Sequence, residues 1–391
     1  MDIQLTNSPG RHAVRVAFCG TRGIPARYGG FETAADEISR RFVDAGYTCD
    51  VFCRFRGNGP PQTSHEGRDL IYVRGSASRK LDTFLSSIQT GRYLLQHRTR
   101  YSHVFWFNNA NLPGILLTAL ARIPMTVNTD GVEWRRAKWS LPFKAYYYLA
   151  SVLVSIVCPS LVSDSRGVQE LYRRRFLKET SYIPYGTASP PAISQEEQRR
   201  ILESLGLTPG RYFLQITRFE PDNLPLDVAA AFSKAGLEEK GFTMASVGYK
   251  EATPYANRLL ALDGRAGVRV LNATYDPVKL HALRANCRCY VHGNCVGGTN
   301  PALLEAMAAC PRVIAANNEF NREVLGPDGI LFDKENIEPA LRAAAESASQ
   351  ADALKARVDQ AYQWDAVADS YMRVCEGRPP AYSPTPHHRA V

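Results

Sequence analysis

Short runs of apolar residues alternate with longer stretches in which apolar positions recur every three or four residues, and this pattern covers almost the whole chain. The first runs are 14–19, 48–53, 70–73, 103–107, 125–128 and 160–162. Between the first two, Phe31, Ala34, Ala35, Ile38 and Phe42 have helical spacing, and Gly46 ends that helix. Further helical stretches follow at 81–96, 114–121 and 143–157, and Ser163-Asp164-Ser165 would cap another that ends at Phe176. Apolar strands separated by helices predict a parallel sheet with both faces covered, the opening of a doubly wound α/β domain. A strand at 182–183 closes this series, and 184–194, with three Pro and one Gly, reads as a linker. A second series then has strands at 212–216, 243–247, 268–271, 289–292, 312–315 and 330–332, helix from Ala340 onward and a last amphipathic helix at 363–375. The expected organisation is two Rossmann-like domains, 11–187 and 188–362, with 376–391 as a disordered tail.

Length supports this division, because 391 residues exceed one ordinary core. The nine Cys form no C-x-x-C pair, which suits reduced thiols in a cytoplasm. The start of the chain lacks an apolar signal core, and no run of about 18 apolar residues exists to span a membrane. Charge is unevenly placed. Through Thr187 there are 25 Lys+Arg against 14 Asp+Glu, and beyond it 22 against 24. A basic first half points to an anionic partner there: a phosphorylated substrate, a membrane surface or nucleic acid.

Open parallel sheets bind ligands at the carboxyl ends of their strands, so the loops there carry the candidate chemistry. Strand 14–19 runs into Gly20-Thr21-Arg22-Gly23-Ile24-Pro25-Ala26-Arg27-Tyr28-Gly29-Gly30. This spacing differs from G-x-G-x-x-G, and the next strand leads to Arg54 and Arg56 where an NAD site wants an acidic residue. NAD is thereby disfavoured, with an NADP variant left open. Arg22, Arg27 and Tyr28 make the loop a candidate ligand contact, and a tight packing turn is the simpler alternative. Asn108, Asn109 and Asn111 stand at another strand end. The stretch 128–139 follows a third and combines Asp130, Glu133, Trp134, Arg135, Arg136, Lys138 and Trp139. Its charges either form a site or pair with one another. Helix 143–157, rich in Tyr and aliphatic residues and flanked by Arg136, Lys138 and Lys144, is either a monotopic membrane contact or a core helix.

In the second half, Arg218 comes two residues after its strand and with Asn223 is a candidate for phosphate oxygens, pairing with Glu220 being the alternative. His292 closes the strand that leads into Asn294-Cys295-Val296-Gly297-Gly298-Thr299-Asn300-Pro301, followed by a helix containing Glu305. Asn300 is a good N-cap and Pro301 fits the first helical position. Two glycines before a helix N-terminus allow close approach of an anion such as a diphosphate, while Glu305 could accept hydrogen bonds from sugar hydroxyls.

Four blocks carry a resemblance: GTRGIPARYGGFET at 20–33, TDGVEWRRAKW at 129–139, GGTNPALLEAM at 297–307 and FNREVLG at 320–326. Together they resemble GT-B glycosyltransferases of the family 4 retaining type, and more narrowly a bacterial rhamnosyltransferase-like subgroup of surface polysaccharide synthesis. The resemblance implies a nucleotide-sugar donor, dTDP-rhamnose in that subgroup, held by the second domain. It implies an acceptor, a polyprenyl-diphosphate-linked saccharide, held by the basic first domain. On the donor side it places Gly20, Arg22, Gly23, Arg27, Gly29, Gly30, Asn223, His292, Gly297, Gly298, Thr299, Asn300 and Glu305, with Arg218 on the diphosphate and Glu305 on the ribose. On the acceptor side it places Tyr28, Asn109, Trp134, Arg136 and Lys138. The final helix would cross back onto the first domain. Many members have Lys where Asn223 stands and Glu where Gly297 stands, so Arg22 or Arg27 would supply the missing charge.

Cleavage of a glycosyl–phosphate bond builds negative charge on the leaving diphosphate, which cationic side chains and a helix N-terminus stabilise. With no D-x-D pair to hold a divalent ion, a metal-independent reaction without further cofactor is expected. Asp130 and Glu133 are the candidates for orienting the acceptor hydroxyl. The expected setting is the cytoplasmic face of the inner membrane, through peripheral contact with anionic lipid. A nucleotide-sugar epimerase or hydrolase and a non-catalytic binding protein are the rival readings. Nucleic acid is not an expected partner, since no recognition module is present.

Overall fold

The computed structural model describes residues 14–26, 29–55, 61–76, 79–129, 131–136, 139–188, 190–327 and 329–382. In the first half the strands are β1 (Arg15–Cys19), β2 (Thr48–Phe55), β3 (Ser64–His65), β4 (Arg68–Arg74), β5 (His103–Phe107), β6 (Met125–Asn128), β7 (Ser160–Ser163) and β8 (Ser181–Tyr182). They form one sheet in the order β3-β4-β2-β1-β5-β6-β7-β8, parallel throughout except for the β3–β4 hairpin, which the sequence pattern did not announce. Its helices are α1 (Gly30–Asp44), α2 (Arg79–Gln96), α3 (Leu112–Leu120), α4 (Leu141–Val157) and α5 (Arg166–Phe176).

The second half begins with α6 (Gln195–Ser204), where Ser194 caps the helix by accepting the Glu197 N–H at 3.1 Å. Strands β9 (Tyr212–Ile216), β10 (Thr243–Tyr249), β11 (Val268–Asn272), β12 (Cys289–His292), β13 (Val313–Ala316) and β14 (Ile330–Phe332) form a six-stranded parallel sheet in the order β11-β10-β9-β12-β13-β14. Helices α7 (Pro225–Lys234), α8 (Pro254–Leu260), α9 (Pro277–Ala285), α10 (Pro301–Ala309), α11 (Glu319–Leu325), α12 (Ile337–Glu346), α13 (Ala351–Ala361) and α14 (Trp364–Cys375) complete it.

Each sheet is doubly wound. Strand order reverses between β1 and β5 in the first and between β9 and β12 in the second, and such switch points open a crevice at the strands' carboxyl ends. The loops after β1, β5, β9 and β12 are the glycine loop from Gly20, the asparagine run, the Arg218 turn and the Asn294–Asn300 loop. Four of the singled-out loops therefore lie at the switch points of the two sheets, and the fifth, 128–139, follows β6.

Helix α14 lies against α1. Tyr371 packs its ring 5.4 Å from Phe105 and its hydroxyl accepts from Asn128 Nδ2 at 2.8 Å, while Asp365 pairs with Arg41 at 2.6 Å. The expected tail is ordered in its first part. The Ala381 N–H donates to Ser370 Oγ at 3.1 Å and Tyr382 packs 5.9 Å from Tyr182, because an aromatic residue there finds apolar surface to cover. Residues 383–391 lie outside the described residues.

Candidate functional site

The loop between β12 and α10 is built from below. Asn223 is buried, donates through Nδ2 to the Arg218 carbonyl at 2.8 Å, and its own carbonyl accepts from Gln215 Nε2, also at 2.8 Å. Through these two contacts it fastens the Arg218 turn to the sheet, while its side-chain Oδ1 has no hydrogen-bond partner among the described residues. His292 is buried too. Burial lowers its pKa to about 3, so the ring is neutral at physiological pH and supplies no charge to a donor. Above them Asn294 is clasped by Asn318 and Asn321, which both donate to its carbonyl at 3.0 Å. Gly297 has φ +143°, a backbone conformation that residues with a Cβ rarely adopt, and the chain then turns into α10. Asn300 Oδ1 accepts the Ala302 N–H at 3.0 Å, and Pro301 follows at the start of the helix, as the sequence predicted.

Glu305 is half-exposed on α10 and forms an ion pair with Arg284 of α9, whose side chain is buried. The same helix α9 contributes Lys279 and Leu283 to a cavity of about 250 Å³ that also meets Val247 of β10 and Leu271, Asn272 and Thr274 at the end of β11. This cavity could receive a flat, partly apolar group. The Arg284 partner carried no sequence signal, since it lies 21 residues from Glu305 with a strand between. Arg218 is 55% exposed and its guanidinium reaches Glu220 at 3.8 Å, a loose surface pair.

From the first sheet, the Gly20 loop approaches the same crevice. Gly20 has φ +94°, and a Cβ there would strike the Phe107 carbonyl, so the turn is packed directly on β5. Its carbonyl accepts from Asn111 Nδ2 at 3.1 Å and from Arg54 Nη2 at 3.3 Å, and Arg54 is itself held by Asp82 at 3.0 Å in a buried pair. Burial lowers the Arg54 pKa against the pull of Asp82. Glu32 of α1 folds back to accept the Arg22 N–H at 3.0 Å, and Asp36 accepts that of Ala26 at 2.9 Å. Gly29 precedes α1 in extended conformation, and Gly30 comes so close to Pro301 that a Cβ would stand 3.2 Å from its ring. Thus the two glycine-rich loops, 267 residues apart at Gly30 and Gly297, come from opposite sheets to one place.

The halves touch along a seam. Gly131 lies against Gly297, Arg136 Nη2 stands 3.4 Å from where a Gly297 Cβ would be, and Gly298 is pressed on the Asp164 carboxylate. The Thr299 hydroxyl donates to the Asp164 carbonyl. In return Glu323 of α11 accepts the Arg166 N–H at 2.9 and 3.1 Å, placing a carboxylate at the N-terminus of α5. Burial raises the pKa of both acids, that of Asp164 to about 7 with the Glu323 charge adding to the effect. Sequence reading treated Asp164 as part of a cap and Glu323 as part of a block. An Asp between two Ser at a strand's carboxyl end was the available signal.

The expected acceptor residues scatter. Asn109 is fully buried, donating to Ser151 Oγ at 3.0 Å and to Tyr172 OH at 2.6 Å, so it ties α4 to α5 and does not face an acceptor. Trp134 packs among Tyr147, Tyr148 and Phe176 at 5.6–6.2 Å, part of the core under α4. Glu133 is taken by Arg136 at 2.5 Å and by Trp139 Nε1 at 2.6 Å, the mutual pairing that was the alternative to a site. Arg136, buried beside Gly297, belongs with the glycine loop. Arg27, Tyr28, Asp130 and Lys138 lie outside the described residues. Among the described residues, one grouping has metal-ligand spacing, Asp36, His65 and Glu66, and Arg68 already fills it, pairing with Asp36 at 2.6 Å and Glu66 at 2.8 Å.

Residues 120–188 match a family profile described as a domain of unknown function, DUF1972. No curated protein matches the sequence. Among solved structures, sucrose-phosphate synthase from Thermosynechococcus elongatus is 16% identical, with TM-score 0.74 over 93% of this chain and 98% of that one. HepE of Anabaena in complex with UDP-glucose is 14% identical, with TM-score 0.69 over 94% of this chain and 100% of that one. The α,α-trehalose 6-phosphate synthase of Burkholderia multivorans is 10% identical, with TM-score 0.64 over 93% and 98%. At such identities the likeness is one of fold, and the fold is GT-B: two Rossmann-like parallel-sheet units facing each other.

Proposed function

We propose that the chain is a retaining glycosyltransferase that takes a sugar from a nucleoside-diphosphate donor, with residues 188–362 holding the donor and 11–187 the acceptor. The observation that carries this reading is the approach of the first half's loops to the α10 N-terminus, with Gly30 against Pro301 and with Gly131 and Arg136 against Gly297. The cavity at the ends of β10 and β11 suits the base, with Glu305 turning to the ribose. Support also comes from the GT-B protein HepE, which binds UDP, glucose and UDP-glucose. In the reaction the sugar C1–O bond to phosphate breaks as the acceptor oxygen bonds to C1 on the same face, and the acceptor proton passes to the departing phosphate. Arg218 and the loop N–H groups stabilise the charge that develops there. Asp130 remains the candidate for orienting the acceptor hydroxyl. The four sequence blocks favour L-rhamnose from dTDP-rhamnose as the donor group and a polyprenyl-diphosphate-linked saccharide as acceptor.

A thermal-shift panel of dTDP, UDP and GDP tests the donor site. Ligand at a hundred times its Kd adds about 2.7 kcal/mol, a rise of several degrees. One nucleotide is expected to raise Tm in the wild type and not in Glu305→Ala. Because that substitution also strands the buried Arg284, the ligand-induced shift is the readout and not the starting Tm. No shift with any nucleotide in the wild type overturns the donor reading.

The acceptor's lipid calls for a membrane contact, and α4 offers one. Its inner face buries Tyr147, Ala150, Ser151 and Val154, while Leu149 and Ile156 remain 54% and 73% exposed on the other. Leu120 of α3 and Phe84 of α2, whose ring lies 6.5 Å from Tyr146, extend this apolar surface. Arg175 stacks over Tyr148 at its edge. Among the described residues no helix is long and apolar enough to cross a membrane, so the contact would be peripheral. Flotation with phosphatidylglycerol vesicles is expected to carry the wild type and to lose Leu149→Glu/Ile156→Glu, with nucleotide binding retained. Unchanged flotation of the double variant removes α4 from the contact.

A further inference from the structure

The carboxylate of Asp164 is 2% exposed, and its Oδ1 has no hydrogen-bond partner among the described residues. It stands directly over the glycine loop. Gly298 cannot carry a Cβ without striking it, and burial raises the carboxylate's pKa to about 7 against the Ser165 hydroxyl and Thr299 N–H, which favour the charged form. A bare buried carboxylate oxygen is unfavourable, and packing alone does not call for one. The Thr299 hydroxyl already reaches the main-chain carbonyl of Asp164, so the seam holds at this point without the acid.

Three other carboxylates near the glycine loop are already used: Glu305, paired with Arg284, is given to the ribose, Glu133 is paired with Arg136, and Glu323 is engaged at the α5 N-terminus, while Gly297 and Gly298 have no side chain. A diphosphate would occupy the loop N–H groups, leaving the attached sugar with donor hydroxyls that need acceptors. A carboxylate takes such hydroxyls in short, charge-assisted bonds.

The geometry points to Asp164 as the residue that binds hydroxyls of the transferred sugar, acting from the first sheet while α10 holds the diphosphate from the second. This rests on the donor reading above. Asp164 then decides how much tighter a sugar nucleotide binds than the bare nucleotide, and it couples sugar binding to closure of the seam.

Calorimetric titration of dTDP, dTDP-rhamnose, UDP and UDP-glucose into wild type and Asp164→Asn tests it. The wild type is expected to bind one sugar nucleotide more tightly than its nucleoside diphosphate. In Asp164→Asn the sugar nucleotide weakens about 10-fold or more, while the nucleoside diphosphate stays within about twofold. Should Asp164→Asn not fold, Asp164→Ser serves for the same comparison. Equal losses for nucleotide and sugar nucleotide, or none for either, overturn the assignment and leave the donor site standing. Failure of all four ligands to bind the wild type overturns both.

Discussion

Arg218→Ala is expected to lower kcat about 10²–10³-fold, the effect of removing one preorganised charge from a developing anion. Its thermal stability should stay close to that of the wild type. The side chain is 55% exposed and makes one loose contact, with Glu220 at 3.8 Å, so little folding energy depends on it. The turn that carries it is rigid for another reason, since Asn223 holds the Arg218 main-chain carbonyl from beneath. The charge is therefore fixed in place while its head group is free to meet a ligand. Arg218→Lys should recover part of the rate, because a point charge replaces a planar fork. Steady-state kinetics and a melting curve on the same preparations decide the matter. An unchanged kcat with an unchanged Tm would move the stabilising charge to Arg136 or Arg22.

Asp82→Ala should destabilise the protein by about 3–5 kcal/mol, the range seen when one member of a buried ion pair is removed. Arg54 and Asp82 are both buried, and burial already lowers the Arg54 pKa. Among the described residues, the hydrogen-bond partners left to the guanidinium without Asp82 are neutral, Thr83 Oγ1 at 3.2 Å and the Gly20 carbonyl at 3.3 Å, and Glu32 attracts it more weakly. Asp82 also accepts the Ser76 N–H at 2.9 Å, so the segment before α2 loosens with it. Nucleotide-sugar turnover should fall as well, because the Gly20 turn rests on Arg54. Urea unfolding measures the first effect. Replacing both members by apolar residues, Arg54→Met/Asp82→Leu, should restore much of the stability, and failure to do so would show that the pair has a packing role beyond its charge.

The alternation of strand and helix was legible in the residues because a strand buried on both faces must be apolar along its length. β1, β5, β9 and β12 were read nearly to their ends for that reason. The β3–β4 hairpin was missed, since Ser64 and His65 stand in a polar edge pair with no apolar run. α6 was not singled out, because it is mostly charged and has Leu202 as its one buried residue. The Asn300 cap and Pro301 were legible since capping is a local hydrogen bond. Asn109, Trp134 and Glu133 are engaged by neighbouring protein groups, which sequence does not reveal: a polar or aromatic residue in such a loop looks the same whether it faces a ligand or a neighbouring helix.

By itself, then, the sequence determined the two sheets, the loops at their carboxyl ends and the helix cap of α10. These depend on periodicity and on contacts between near neighbours in the chain. Only the tertiary structure decided which charges are spent inside the protein and which remain for a ligand. It paired Glu305 with Arg284, engaged Glu133 with Arg136, brought Gly30 to Pro301 and set Asp164 against Gly298. Each of these depends on distance between residues far apart in the chain, and charge or residue type alone does not specify that distance.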